Sequence, residues 1–214
     1  MFLKICGITN VADGRTAASA GVQAIGLNFY SQSPRFVQPA TAHEIIQSIP
    51  PFIEVVGLFA NAPITEILHV VNLLGIRTVQ LHGEIDPQVV SQLHGLSVVP
   101  AFPLRDESDV TGILHFIDQC RQLGRLPSAI LVDAHVEGKF GGTGEKAPWA
   151  IARSVVQQSS LPVMLAGGLT SKNVAQAIRT VRPWGVDVAS GVEVAPGRKE
   201  AYKIRSFVDA VRRA

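Results

Sequence analysis

Short apolar runs rich in β-branched residues recur eight times along the chain, at 2–6 (FLKIC), 23–28 (QAIGLN), 53–59 (IEVVGLF), 77–81 (RTVQL), 97–101 (SVVPA), 129–133 (AILVD), 161–165 (LPVML) and 185–189 (GVDVA). Amphipathic stretches of helix length separate them. In 63–74 (PITEILHVVNLL) the apolar residues fall at helical spacing, Pro63 suits a first turn and Gly75 a stop. Strand–helix alternation implies parallel strands, because right-handed crossovers return each helix to the sheet. Eight units of about 27 residues fit a closed (β/α)8 barrel, whereas a doubly wound open sheet more often has about five or six strands. No linker, low-complexity tract or composition shift divides the chain. The expectation is an α/β fold in which residues 1–214 form a single-domain (β/α)8 TIM barrel. Its active site belongs at the C-terminal ends of the strands.

Composition narrows the function. A hydrophobic share of 47% with 17% charged residues suits one sizeable core. The formal charge of +2 is dispersed, so nucleic acid and membrane surfaces are not expected as partners. The opening MFLKICGITN lacks a sustained apolar segment, and the longest apolar stretch, 52–60, carries Glu54. Cys6 and Cys120 lie far apart in different expected elements, which argues against a disulfide framework and for a reducing cytoplasm. With no additional apolar patch evident, a monomer is expected.

The residues that close the strand runs are polar or small: Cys6-Gly7, Asn28, Asn61, His82-Gly83, Asp133, Gly167-Gly168 and Ser190-Gly191. They make poor core material, yet they gather at one rim. A free cysteine is commonly a small buried hydrophobe, but Cys6 ends a strand on the catalytic face. Side-chain alternation puts Phe2, Lys4 and Cys6 on one side of that strand. If Cys6 faces the barrel mouth, Lys4 faces inward below it and favours the thiolate. Such an ammonium needs a carboxylate, with Asp187 and Asp133 both candidates.

Asp133 reads either as a helix cap or as a functional acid. Capping is disfavoured because the next helix is expected only near Pro148. The intervening 134–147 (AHVEGKFGGTGEKA) reads as a mobile loop over the site. It ends in no GK[ST], and its GTGEKA follows the strand too distantly for a dinucleotide motif. LAGGLT (165–170) and VASGVE (188–193) expose backbone N–H groups after the seventh and eighth strands, with Thr170 or Ser171 available as a cap. Side by side, the two turns favour a phosphorylated substrate. Arg35, in the loop after the second strand, is either solvated or holds a substrate carboxylate bidentately. The six histidines have no metal-ligand spacing, so no metal is expected, and His82 suits packing or rim hydrogen bonding.

KICGIT, FYSQSPRFV, VQLHG, ILVD…GGTG, AGGL and VDVASGVE…PGRK, in this order and spacing, resemble the phosphoribosylanthranilate isomerase family nearly end to end. The resemblance implies a cofactor-free Amadori rearrangement of N-(5-phosphoribosyl)anthranilate to 1-(o-carboxyphenylamino)-1-deoxyribulose 5-phosphate in tryptophan biosynthesis. It implies Cys6 as general base, Asp133 as general acid and Arg35 as the holder of the anthranilate carboxylate. Gly167, Gly168, Ser190 and Gly191 become the phosphate site, and Asp187 a polar residue near the reacting groups. Gly7 is expected to give the substrate room. Some relatives carry Ser where Ala166 and Ala189 stand. The roles require a Cys6 pKa lowered to the thiolate and an Asp133 pKa raised. Two rivals stay open: the related barrel isomerase of histidine biosynthesis, which typically uses an aspartate where Cys6 stands, and a non-catalytic phosphosugar or thiol sensor.

Overall fold

The computed structural model describes residues 1–134 and 147–214. The glycine-rich stretch read above as a loop over the site therefore lies, except for its ends, outside the described residues. Strands β1 (Phe2–Cys6), β2 (Ala24–Asn28), β3 (Glu54–Ala60), β4 (Thr78–His82), β5 (Ser97–Pro103), β6 (Ile130–Asp133), β7 (Val163–Ala166) and β8 (Gly185–Val188) close into one parallel barrel in chain order. β8 returns to β1, with Lys4 opposite Asp187 in register. Helices α1 (Val11–Ala20), α2 (Pro39–Ser48), α3 (Ile64–Leu74), α4 (Pro87–Gln92), α5 (Glu107–Gln122), α6 (Ala147–Gln158), α7 (Val174–Val181) and α8 (Ala201–Arg212) follow the strands one by one. After β8 the chain adds a short antiparallel hairpin, β9 (Glu193–Ala195) with β10 (Arg198–Lys199), before α8.

Local chemistry explains the boundaries. α3 starts after Pro63 and stops at Gly75, which takes the left-handed conformation at φ 69° and returns its N–H to Val71. α5 opens on a capping box between Asp106 and Asp109. The Ser171 or Thr170 cap was misplaced: α7 begins only at Val174, after a turn in which Asn173 Oδ1 accepts from Thr170 N at 2.7 Å.

Two apolar layers result from the strand alternation. Residues such as Ile5, Ile25, Val79, Ile130 and Leu165 face the helices and form the larger core. Inside the barrel lie Val99, Ala101, Leu131, Met164 and Ala166 on one side, and Cys6, Ala24, Val56 and Leu58 on the other. Each fully buried Leu, Ile or Val contributes about 1.5–3 kcal/mol relative to exposure. Among the described residues the interior also holds buried polar side chains, Lys4, Gln80 and Asp187. They lie directly beneath the C-terminal rim, and among the described residues no helix is long and apolar enough to cross a membrane.

Candidate active site

β1 places Cys6 as its last inward-facing residue, two positions above Lys4. The Cys6 thiol lies over Gly26 of β2, where an added Cβ would come within 2.9 Å of Sγ. Lys4 points inward, as the alternation requires. Of its two candidate partners the register selects Asp187, with Nζ 2.8 Å from Oδ2 and both side chains nearly inaccessible. Among the described residues, Asp187 Oδ1 finds no hydrogen-bond partner. Burial works against the Lys4 charge, but Asp187 and Cys6 together outweigh it and Lys4 is raised above 10.5.

The protonation of Cys6 differs from the sequence-based expectation. Burial pushes the thiol above its ordinary 9.0, and the Lys4 and Lys199 cations offset this only in part. These surroundings therefore hold Cys6 as a thiol at neutral pH. His82, at the end of β4, is held below 6.5 by burial and then by the Lys4 charge, so its ring is neutral. Its Nε2 lies 2.6 Å from Gln80 Nε2, with the amide donating to the ring. That agrees with rim hydrogen bonding for His82.

Asp133 ends β6 and is half-buried at the same mouth. A cavity of about 260 Å³ brings it together with Cys6, Arg35, Gly167, Gly168, Asp187 and Ser190. Gly191 sits immediately beside them. A Cβ there would fall 1.9 Å from Leu169 O, so the turn after β8 packs against the turn after β7 only because residue 191 is glycine. Gly167 and Gly168 take φ of 95° and 60°. The side chains at Ala166 and Ala189 carry no hydroxyl, so at these two positions the turns offer backbone groups alone. A second cavity of about 810 Å³ adjoins the first, sharing His82 and Asp133 and lined further by Asn61, Phe102 and Pro103.

Arg35 is positioned by its own loop. Asn28 donates to Ser33 Oγ at 3.0 Å, and Ser33 Oγ accepts from Arg35 N at 3.1 Å. The guanidinium is not simply solvated. It is only about a quarter exposed, and its bidentate partner is Glu193, with Nε to Oε1 2.9 Å and Nη2 to Oε2 2.7 Å. Gly7 serves this side chain: at φ 72°, a Cβ would meet Arg35 Cδ at 2.5 Å. The room provided by Gly7 is thus room for Arg35.

Glu193 and Lys199 received no role from the sequence. Both are buried and paired at 2.7 Å. The available signal was the three charged residues Glu193, Arg198 and Lys199 inside SGVE…PGRK, a segment outside the strand–helix repeat.

A family model described as "PRAI: N-(5'phosphoribosyl)anthranilate (PRA) isomerase" matches residues 3–210. The chain belongs to the phosphoribosylanthranilate isomerase family. A relative from Pelobacter propionicus, named N-(5'-phosphoribosyl)anthranilate isomerase, is 43% identical over 206 residues, covering 96% of this chain and 93% of that protein. The crystal structure of phosphoribosyl anthranilate isomerase from Thermotoga maritima superposes with a TM-score of 0.88 at 32% identity, covering all of both chains. Another solved phosphoribosyl anthranilate isomerase, in complex with reduced 1-(o-carboxyphenylamino)-1-deoxyribulose 5-phosphate, gives a TM-score of 0.86 at 31% identity and full coverage of both. Membership in this isomerase family separates the chain from the histidine-pathway rival.

Proposed function

We propose that this chain catalyses the Amadori rearrangement of N-(5-phosphoribosyl)anthranilate, with Asp133 as general acid and Cys6 as general base. One observation carries the assignment: strands β1 and β6 deliver Cys6 and Asp133 to one cavity that also meets the paired glycine turns after β7 and β8. Asp133 protonates the furanose ring oxygen, the ring opens, and a cationic Schiff base remains. Cys6 removes the C2′ proton to give the enolamine, which tautomerises to the ketone. The turns at Gly167-Gly168 and Ser190-Gly191 bind the phosphate through backbone N–H groups. Arg35 binds the anthranilate carboxylate, and Asp187 offers its open Oδ1 to the sugar.

The buried thiol must ionise before it accepts a proton. Lys4 beneath it and the cationic Schiff base beside it both favour the thiolate, so the base form builds up in the complex rather than in the free site. The step needs no cofactor. The chain acts as a monomer in the cytoplasm, and sedimentation at 22.9 kDa tests the former. Purified protein mixed with N-(5-phosphoribosyl)anthranilate should abolish the substrate's fluorescence with turnover and complement a tryptophan auxotroph. Binding without turnover would instead support a sensor.

A further inference from the structure

The hairpin after β8 carries two buried charges that the acid–base steps leave unused. Glu193 accepts from Arg35 Nε and Nη2, from Lys199 Nζ at 2.7 Å and from Gly197 N at 3.3 Å. Lys199, whose side chain is fully inaccessible, also donates to Ala189 O at 3.2 Å, directly before the Ser190-Gly191 turn. Its backbone N–H is fixed by Asp13 Oδ2 at 2.9 Å. The bonds to Arg35 and Lys199 outweigh burial and hold the Glu193 carboxyl below 4.5, while burial lowers the Lys199 ammonium from its ordinary 10.5 and the Glu193 carboxylate counters that in part.

A guanidinium has five N–H donors in a planar fork. Glu193 takes the Nε–Nη2 edge, which leaves the end-on pair, one N–H from each Nη, for a second carboxylate. Without a clamp, an arginine must give up side-chain freedom when it binds. Here that ordering is completed on folding. Charge decides the next point. Arg35 with Glu193 alone is neutral and would offer an anion little, whereas Lys199 restores one net positive charge.

We propose that Glu193 and Lys199 are positioning residues for substrate selection. Glu193 turns the Arg35 end-on fork toward the substrate carboxylate. Lys199 cancels the Glu193 charge and ties the clamp to the Ala189–Gly191 turn, so that the carboxylate and phosphate ends of the substrate are held at a fixed separation. The inference rests on the reading of Arg35 as the carboxylate holder.

The test compares N-(5-phosphoribosyl)anthranilate with N-(5-phosphoribosyl)aniline, which lacks only the carboxylate. Glu193→Gln and Lys199→Met should each raise KM for the anthranilate substrate about ten- to a hundredfold, the scale of one charge-assisted hydrogen bond. For Glu193→Gln, kcat should stay within about threefold and KM for the aniline substrate should be unaffected. Lys199→Met, which also releases the Ala189 turn and removes a cation near Cys6, should raise KM clearly more for the anthranilate than for the aniline substrate. Glu193→Gln should add nothing in an Arg35→Ala background. Equal losses on both substrates, a fall in kcat alone or no change would each overturn the inference. If Glu193→Gln fails to fold, Lys199→Met probes the same clamp. An Arg35→Ala variant that does not distinguish the two substrates overturns the carboxylate reading itself; one that does, beside an indifferent Glu193→Gln, overturns the clamp alone.

Discussion

Cys6 shows how far one residue's chemistry can be read in advance. Period-2 alternation was enough to turn Lys4 inward beneath it, and the structure agrees. Its protonation was not legible, because burial in the closed barrel outweighs the nearby cations. The free-enzyme thiol should therefore titrate above 9.0, and kcat/KM should rise with pH through that region. Lys4→Met removes the cation that pulls the thiol down, so the thiolate should appear at still higher pH. Ultraviolet thiolate absorbance, read in a Cys120→Ala background because burial sets Cys120 at about 11, checks both statements. A wild-type value below 9.0, or a downward shift in Lys4→Met, would contradict them. The same variant strands Asp187 as a buried, unpaired charge and should cost about 3–5 kcal/mol of stability. Because Lys4 is raised in the fold, its stabilisation is fully present below 10.5 and is lost only as pH climbs through the folded value.

Strand ends were legible to within about two residues because turn residues punctuate the repeat. The start of α7 was not, since Asn173 closes a turn that a local cap rule does not describe. The clamp on Arg35 escaped for a different reason: its two partners are 158 residues apart, and Glu193 lies on a hairpin outside the repeat. The contact between the two glycine turns was legible only as an adjacency of strands, whereas its tightness depends on Gly191 against Leu169 O. Gly191→Ala must push the turns apart and should cost about 1–3 kcal/mol in stability or in affinity for a phosphate ester. Calorimetric titration with ribose 5-phosphate, beside thermal unfolding, measures both, and an unchanged variant would contradict the packing described here.

At the mouth of the closed barrel, Lys4, Arg35 and Lys199 form ion pairs with the carboxylates of Asp187 and Glu193. This network makes stability depend on pH. Glu193 is depressed below 4.5 in the fold, so its contribution is present above that value and lost as pH falls through the folded pKa. Unfolding temperatures measured across acid pH should fall in the wild type and flatten in Glu193→Gln; parallel curves would argue against the assignment. The most direct test of the whole account is kcat for Cys6→Ser and Asp133→Asn on N-(5-phosphoribosyl)anthranilate. Each variant should lose about 10²–10⁴-fold while remaining folded, and retention of more than about a tenth of wild-type kcat by either would contradict its role in proton transfer.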